Sequence, residues 1–189
     1  QVSQVFVNYV SNSGTIYSLP DLLLADRQMF VKLKTDPEGN HNITATRARY
    51  ALQLGDRYQV TSSLSMADAT SLRRASTNYP PSIREQYLQV PETITDRTLQ
   101  LAEQLTADHD NPYDKAVAIQ NWLRTNITYN DQIDYPPRNR EFIDYFLFDL
   151  REGYCNYYAS AMAIMLRSQG IPARLARGFA SGEYLDEDG

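Results

Sequence analysis

Apolar and polar residues alternate through the first third of the chain, and apolar residues then recur at helical spacing to its end. Val5, Val7 and Tyr9 alternate, as do Met29, Val31 and Leu33, the period of a strand with one buried face. Tyr50, Leu52 and Leu54 repeat the pattern up to Gly55-Asp56, a two-residue hairpin signal, and Tyr58 and Val60 continue beyond it. Asp36-Pro37-Glu38-Gly39-Asn40 reads as a turn. Residues 1 to about 64 thus read as β-rich.

The spacing then changes. Met66, Ala69 and Leu72 predict a short helix, broken at Tyr79-Pro80-Pro81, the expected boundary between regions 1–80 and 81–189. Ser82-Ile83-Arg84-Glu85 has the form of a capping box. Thr95-Asp96 opens a helix with Ile94, Leu99, Ala102 and Leu105 as its apolar side. Asn111-Pro112 places an N-cap before proline at the first helical position, and the helix that follows turns Ala116, Ile119, Trp122 and Leu123 inward. Residues 135–140 read as a loop, and the aromatic run Phe142 to Phe148 must be largely buried. Gly153 breaks the backbone, and from Cys155 a new helix carries Cys155, Ala159, Met162, Ala163 and Leu166 on one face. Gly170-Ile171-Pro172 ends it, and Ala173 to Ala180 predicts a strand. The class is α+β.

The only cysteine of the chain, Cys155, therefore falls at a helix start. Unpaired N–H groups and the positive end of the dipole favour an anion there, by about 0.3–1 kcal/mol at exposed sites and up to about 2 in favourable geometry. A buried core cysteine, the commoner fate of a lone thiol, has no need of a glycine and a helix start beside it. One cysteine excludes an internal disulfide and a multi-thiolate zinc site. A net charge of −5 with no run of Lys or Arg argues against nucleic acid as a partner. No apolar run reaches the roughly 20 residues of a membrane helix. Fourteen tyrosines, clustered near Cys155, suggest an aromatic-walled groove. The sequence starts at Gln1 and ends in Asp186-Glu187-Asp188-Gly189, so both ends read as cut from something longer.

Other constellations select no site. Asp131, Asp134, Asp144 and Asp149 could supply a carboxylate pair, but no spacing singles out two, and all read as solvated loop or cap positions. Asp186-Glu187-Asp188 lacks a calcium-loop pattern and reads as a solvated turn. Asn42-Ile43-Thr44 and Asn126-Ile127-Thr128 match a glycosylation pattern that is short and frequent by chance. Ser160 points to a different side of the helix from Cys155, and His41 and His109 sit among polar neighbours as surface residues.

Three segments together, Tyr145-Phe146-Leu147-Phe148, Gly153-Tyr154-Cys155-Asn156-Tyr157-Tyr158-Ala159-Ser160-Ala161-Met162 and Leu166-Arg167-Ser168-Gln169-Gly170-Ile171-Pro172-Ala173-Arg174, resemble the transglutaminase-like superfamily, a branch of the papain-like cysteine-enzyme fold. Tyr113-Asp114-Lys115-Ala116 and Trp122-Leu123 fit its helical part. Within the family the chain most resembles bacterial membrane-anchored members, whose transglutaminase-like domain lies outside the cytoplasm. The resemblance implies a β-rich accessory region followed by the helical half of the core. It implies a Cys–His–Asp triad with Cys155 as nucleophile on a glutamine or peptide carbonyl of a protein substrate, and neither cofactor nor metal. The Cys155 backbone N–H would be one oxyanion donor and Tyr129 a second. The family's His and Asp lie on strands after residue 180, and the sequence stops at Gly189, so little or no turnover is expected from these residues alone. A non-catalytic peptide- or envelope-binding module on the same fold is the alternative, and a structural domain with an inert buried Cys155 a third.

Overall fold

The computed structural model describes residues 1–35, 39, 41–133 and 137–176. It divides into two compact units, the first spanning Gln1–Met66 and the second Ala67–Arg177.

The first unit holds two three-stranded antiparallel sheets. In one, β6 (Arg57–Ser62) lies between β1 (Val2–Val7) and β3 (Leu22–Ala25). In the other, β5 (His41–Leu52) lies between β2 (Ser13–Thr15) and β4 (Met29–Thr35). Ala48 and Leu52 of β5 meet Tyr58 and Val60 of β6 in one small core with Ile16.

Two expectations change here. Strand β1 buries the opposite face to the one its odd-numbered apolar residues suggest. Val5 and Tyr9 are exposed, and the even positions turn inward because the register sets Val2, Gln4 and Phe6 opposite the buried Ser62, Val60 and Tyr58. The Phe6 and Tyr58 rings stack at 5.3 Å and fix that choice. The Gly55-Asp56 turn does not make a hairpin, since β5 and β6 belong to different sheets. Gly55 takes a φ of 84° there, and its N–H and the Asp56 carbonyl both bond to Asn8. The turn carries the chain from one sheet to the other.

The second unit opens with α1 (Ala69–Arg73), α2 (Pro81–Tyr87), α3 (Asp96–Thr106) and α4 (Pro112–Asn126). Strand β7 (Thr128–Tyr129), α5 (Phe142–Asp144), a π-helix (Tyr145–Leu150), β8 (Glu152–Gly153) and α6 (Cys155–Ser168) follow. The Tyr79-Pro80-Pro81 break falls inside this unit. α1 is bound to α4 through Arg73, whose Nε donates to Asp114 at 2.9 Å and whose guanidinium lies 5.1 Å from the Tyr113 ring. α2 begins at Pro81 with Pro80 as its N-cap, one residue before the capping box expected at Ser82. Asn111 caps α4 as its sequence predicts, its side chain accepting from the Asp114 N–H at 2.9 Å. The core joins Ala102, Ile119 and Leu123 to Ile143, Phe146 and Leu147, and to Tyr157, Ala161, Ile164 and Met165 of α6.

The stop at Gly170 is also as predicted. Gly170 has a φ of 74°, its N–H bonds to the Arg167 carbonyl, and the Ile171 N–H reaches back to Leu166, which together close a Schellman motif. Beyond it, Ala173 to Ala176 form no strand, and the rest of the strand expected there lies outside the described residues.

Candidate active site

The approach to Cys155 is built by a departure from α-helical geometry. The π-helix ends with the Arg151 N–H bonded to the Phe146 carbonyl at 3.0 Å, five residues back, and Arg151 itself adopts a left-handed φ of 55°. Arg151 therefore makes the reversal that sequence reading assigns to Gly153. Gly153 serves another end. A Cβ on it would lie 3.0 Å from Phe146 Cε2 and 3.0 Å from Tyr157 Cγ, so only glycine lets the chain pass between these rings.

Strands β7 and β8 then pair in parallel, with Tyr129 opposite Gly153. The Asn130 N–H donates to the Gly153 carbonyl at 2.9 Å, and Asn130 Nδ2 donates to Glu152 Oε2 at 3.1 Å. This short ladder ties the end of α4 to the start of α6. A second tie is the Tyr158 hydroxyl, which donates to the Ile127 carbonyl at 2.8 Å. Burial, with Tyr129 nearby, holds the Tyr158 phenol above its ordinary pKa.

Cys155 is the first residue of α6, and its thiol is free and exposed. The N-cap Tyr154 places no side-chain hydrogen bond on the first turn, so its N–H groups are not claimed by a cap. Sγ lies 4.0 Å from Asn156 Oδ1. The α6 stripe that enters the core is Tyr157, Ala161, Ile164 and Met165, whereas Cys155 and Ala159 are exposed. The thiol thus sits off the packing face. Aromatic rings cluster about Tyr157 and Tyr158 of α6: Tyr157 meets Phe142 at 4.6 Å, Tyr154 at 4.9 Å and Phe146 at 5.5 Å, and Tyr129 lies 6.2 Å from Tyr158. Tyr129 is 65% exposed, with its ring on the solvent side of this cluster.

The remaining candidates fall elsewhere. His109 occupies the α3–α4 connection, at the opposite end of α4 from β7, and a 15-residue helix spans about 22 Å. His41 belongs to β5 of the first unit, where its Nδ1 pairs with Thr35 Oγ1 at 2.8 Å. Asp131 is exposed, and Asp134 lies outside the described residues. No group of three or more His, Cys, Asp and Glu is placed to hold a metal among the described residues.

Asp144 corrects its reading as a solvated residue. It is only 5% exposed. Arg97 of α3 grips its carboxylate with both Nε, at 2.5 Å, and Nη2, while the Thr95 hydroxyl donates at 2.6 Å. The Arg97 hydrogen bonds, with that of Thr95 behind them, hold the Asp144 carboxyl below the usual range against the opposing effect of burial. Arg97 Nη2 also donates to Asp149 at 2.7 Å, and Arg140 reaches Asp149 at 2.6 Å. Sequence reading misses this network because its partners stand 47 and 52 residues apart with no periodic signal. Both carboxylates are engaged by arginine, which removes the ground for reading them as a glycosidase pair.

Residues 99–188 match the family model of the transglutaminase-like superfamily. The uncharacterized protein YebA of Bacillus subtilis is 40% identical over 117 residues, covering 61% of this chain and 16% of that protein. A protein-glutamine gamma-glutamyltransferase of Pseudomonas aeruginosa is 36% identical over 114 residues, covering 60% of this chain and 16% of that one. The crystal structure of the periplasmic domain of TgpA from Pseudomonas aeruginosa aligns with a TM-score of 0.66 at 24% identity, over 97% of this chain and 57% of that chain. The chain thus spans about one sixth of the curated relatives it matches, and the likeness to the solved domain is one of fold.

Proposed function

We propose, from the premise that this chain carries a transglutaminase-like domain, that Cys155 is the nucleophile of an acyl transfer on protein or peptide amides. One observation carries the reading: a free, exposed thiol stands at the first position of an uncapped helix, off the packing face. The thiolate adds to the carbonyl of a glutamine side chain or peptide bond. The carbon–sulfur bond forms, the carbon–nitrogen bond breaks, and ammonia or an amine leaves with a proton from an imidazolium. A second amine, or water, then takes the acyl group and frees the thiolate. Backbone N–H groups at the start of α6 are aimed at the developing oxyanion, and Tyr129, across the ladder from Gly153, adds a phenolic donor.

The imidazole and the acid that orients it are not assigned to any residue of this sequence, whose two histidines, His41 and His109, lie away from Cys155; the resemblance implies that both belong to strands that follow it. The protein acts outside the cytoplasm, a placement supported by the periplasmic origin of the TgpA domain. A membrane anchor belongs to the same proposal, although no described helix is long and apolar enough to cross a membrane.

The encoded protein, mixed with a glutaminyl peptide and no acceptor amine, should gain the acyl mass at Cys155. Cys155→Ala should lower turnover by a factor on the order of 10⁴ or more. Full activity in Cys155→Ala would refute the assignment, and labelling that never reaches Cys155 would leave a binding module in its place.

A further inference from the structure

The Arg97 network has a geometry that bears on the position of Cys155. Arg97 holds Asp144, at the start of the π-helical segment, and Asp149, near its end, while its guanidinium lies 4.4 Å from the ring of Phe148 between them. Asp144 and Asp149 are five residues apart. In an α-helix they would diverge by about 140° around the axis, and one guanidinium could not reach both. In the π-helix, whose hydrogen bonds close every five residues, they stand on one side. The double grip therefore selects the π register over the α register. Arg140, bonded to Asp149 and 3.9 Å from Asp144, reinforces the same pairing.

The register matters because of what the π-helix delivers. Its last hydrogen bond, from Arg151 to Phe146, sets the left-handed turn at Arg151 that starts β8. Phe146 is fully buried, and its ring lies against the bare Cα of Gly153. Return to α geometry would rotate Leu150 and Arg151 relative to Phe146 and carry Gly153 away from Tyr129. Cys155 would follow, two residues on.

We infer that Arg97 is a positioning residue for Cys155, acting by bridging Asp144 and Asp149 so that segment 145–150 stays π-helical and the Gly153–Cys155 turn stays in register. The inference rests on the reading of Cys155 as nucleophile only in its catalytic consequence. Its structural part stands without that reading.

The test uses Asp149→Asn, an exposed substitution that leaves the Arg97–Asp144 pair in place, and Asp149→Glu as the conservative rescue. Amide hydrogen exchange is read at Arg151 and Asn130, the donors that report the π register and the β7–β8 ladder. Asp149→Asn should speed exchange at both by about tenfold and leave the α6 interior at Ile164 to Leu166 unchanged, the pattern of local opening. Asp149→Glu should restore protection. Unchanged exchange at Arg151, a uniform rise across the unit, or no recovery with glutamate would each overturn the proposal. Arg97→Lys, which keeps the charge but loses the fork, should reproduce the asparagine pattern. In the encoded protein, thioester formation should lose about tenfold in kcat with KM held, short of the roughly 100-fold that a 1 Å displacement can cost. Activity retained in Cys155→Ala would sink the nucleophile assignment and leave the exchange result standing.

Discussion

The two units of this chain place their apolar residues differently. Among the described residues, fourteen large hydrophobics of the first unit are exposed, among them Val5, Tyr9, Leu24, Phe30, Tyr50 and Leu54, against three in the second, Leu72, Tyr129 and Leu175. The helical unit buries Phe146, Leu147, Ile119 and Met165 almost completely, whereas the small β core rests on Ile16, Ala48, Leu52, Tyr58 and Val60. Apolar alternation in a short strand thus says less about burial than helical periodicity does. A strand has two faces and the partner's register decides between them, but a helix stripe about 100° wide has one place to go.

The contrast can be broken most severely at Phe146. Phe146→Ala removes a fully buried ring against which Gly153, Tyr157 and Tyr158 pack, and it should cost about 3–5 kcal/mol in urea unfolding of the second unit. An intact transition midpoint would show that the core is less tightly packed than described. Gly153→Ala forces a Cβ to within 3.0 Å of two rings and should cost about 1–3 kcal/mol by the same measurement. Asn111→Ala, which loses the cap of α4, should cost about 1 kcal/mol.

Asp144 sharpens the comparison through pH. Its carboxyl pKa is depressed in the folded state by the Arg97 hydrogen bonds, so the stability it contributes is present above the unfolded value of about 4 and is lost as pH falls through the lower folded value. Wild type should therefore exceed Asp144→Asn in stability at pH 7, and the gap should close as pH drops below about 4. A gap that persists to acid would show that the carboxylate's charge plays no part. The smallest effect belongs to the first unit: Val5→Thr or Tyr9→Ser should stay within about 0.5 kcal/mol, because neither side chain enters the core.

What could be read from the sequence follows the range of the interaction. The Asn111-Pro112 cap, the helix start at Cys155 and the stop at Gly170 are settled within a few residues, and the structure places them where local chemistry does. The face of β1 depended on β6, more than fifty residues away, and the corner at Gly55 on which sheet each flanking strand joined. Gly153 reads in the sequence as a break in the backbone, but the positive φ belongs to Arg151, and what the missing side chain does is make room for Phe146 and Tyr157. The buried Asp144 left no trace, since an aspartate beside aromatics looks the same whether an arginine from another helix will meet it or not.

The parallel ladder of β7 and β8 is only two residues long, and it sets unequal rules for insertion and deletion around the thiol. Side chains alternate along a strand, so one residue added between Asn126 and Tyr129 would turn the tyrosine to the other face and break the pairing with Gly153. Asp131 and Gln132, exposed just past the ladder, carry no such constraint, and a change of length there costs only the slowly growing entropy of a longer loop. Related chains should vary in length across that stretch while keeping a fixed count of residues on either side of the ladder.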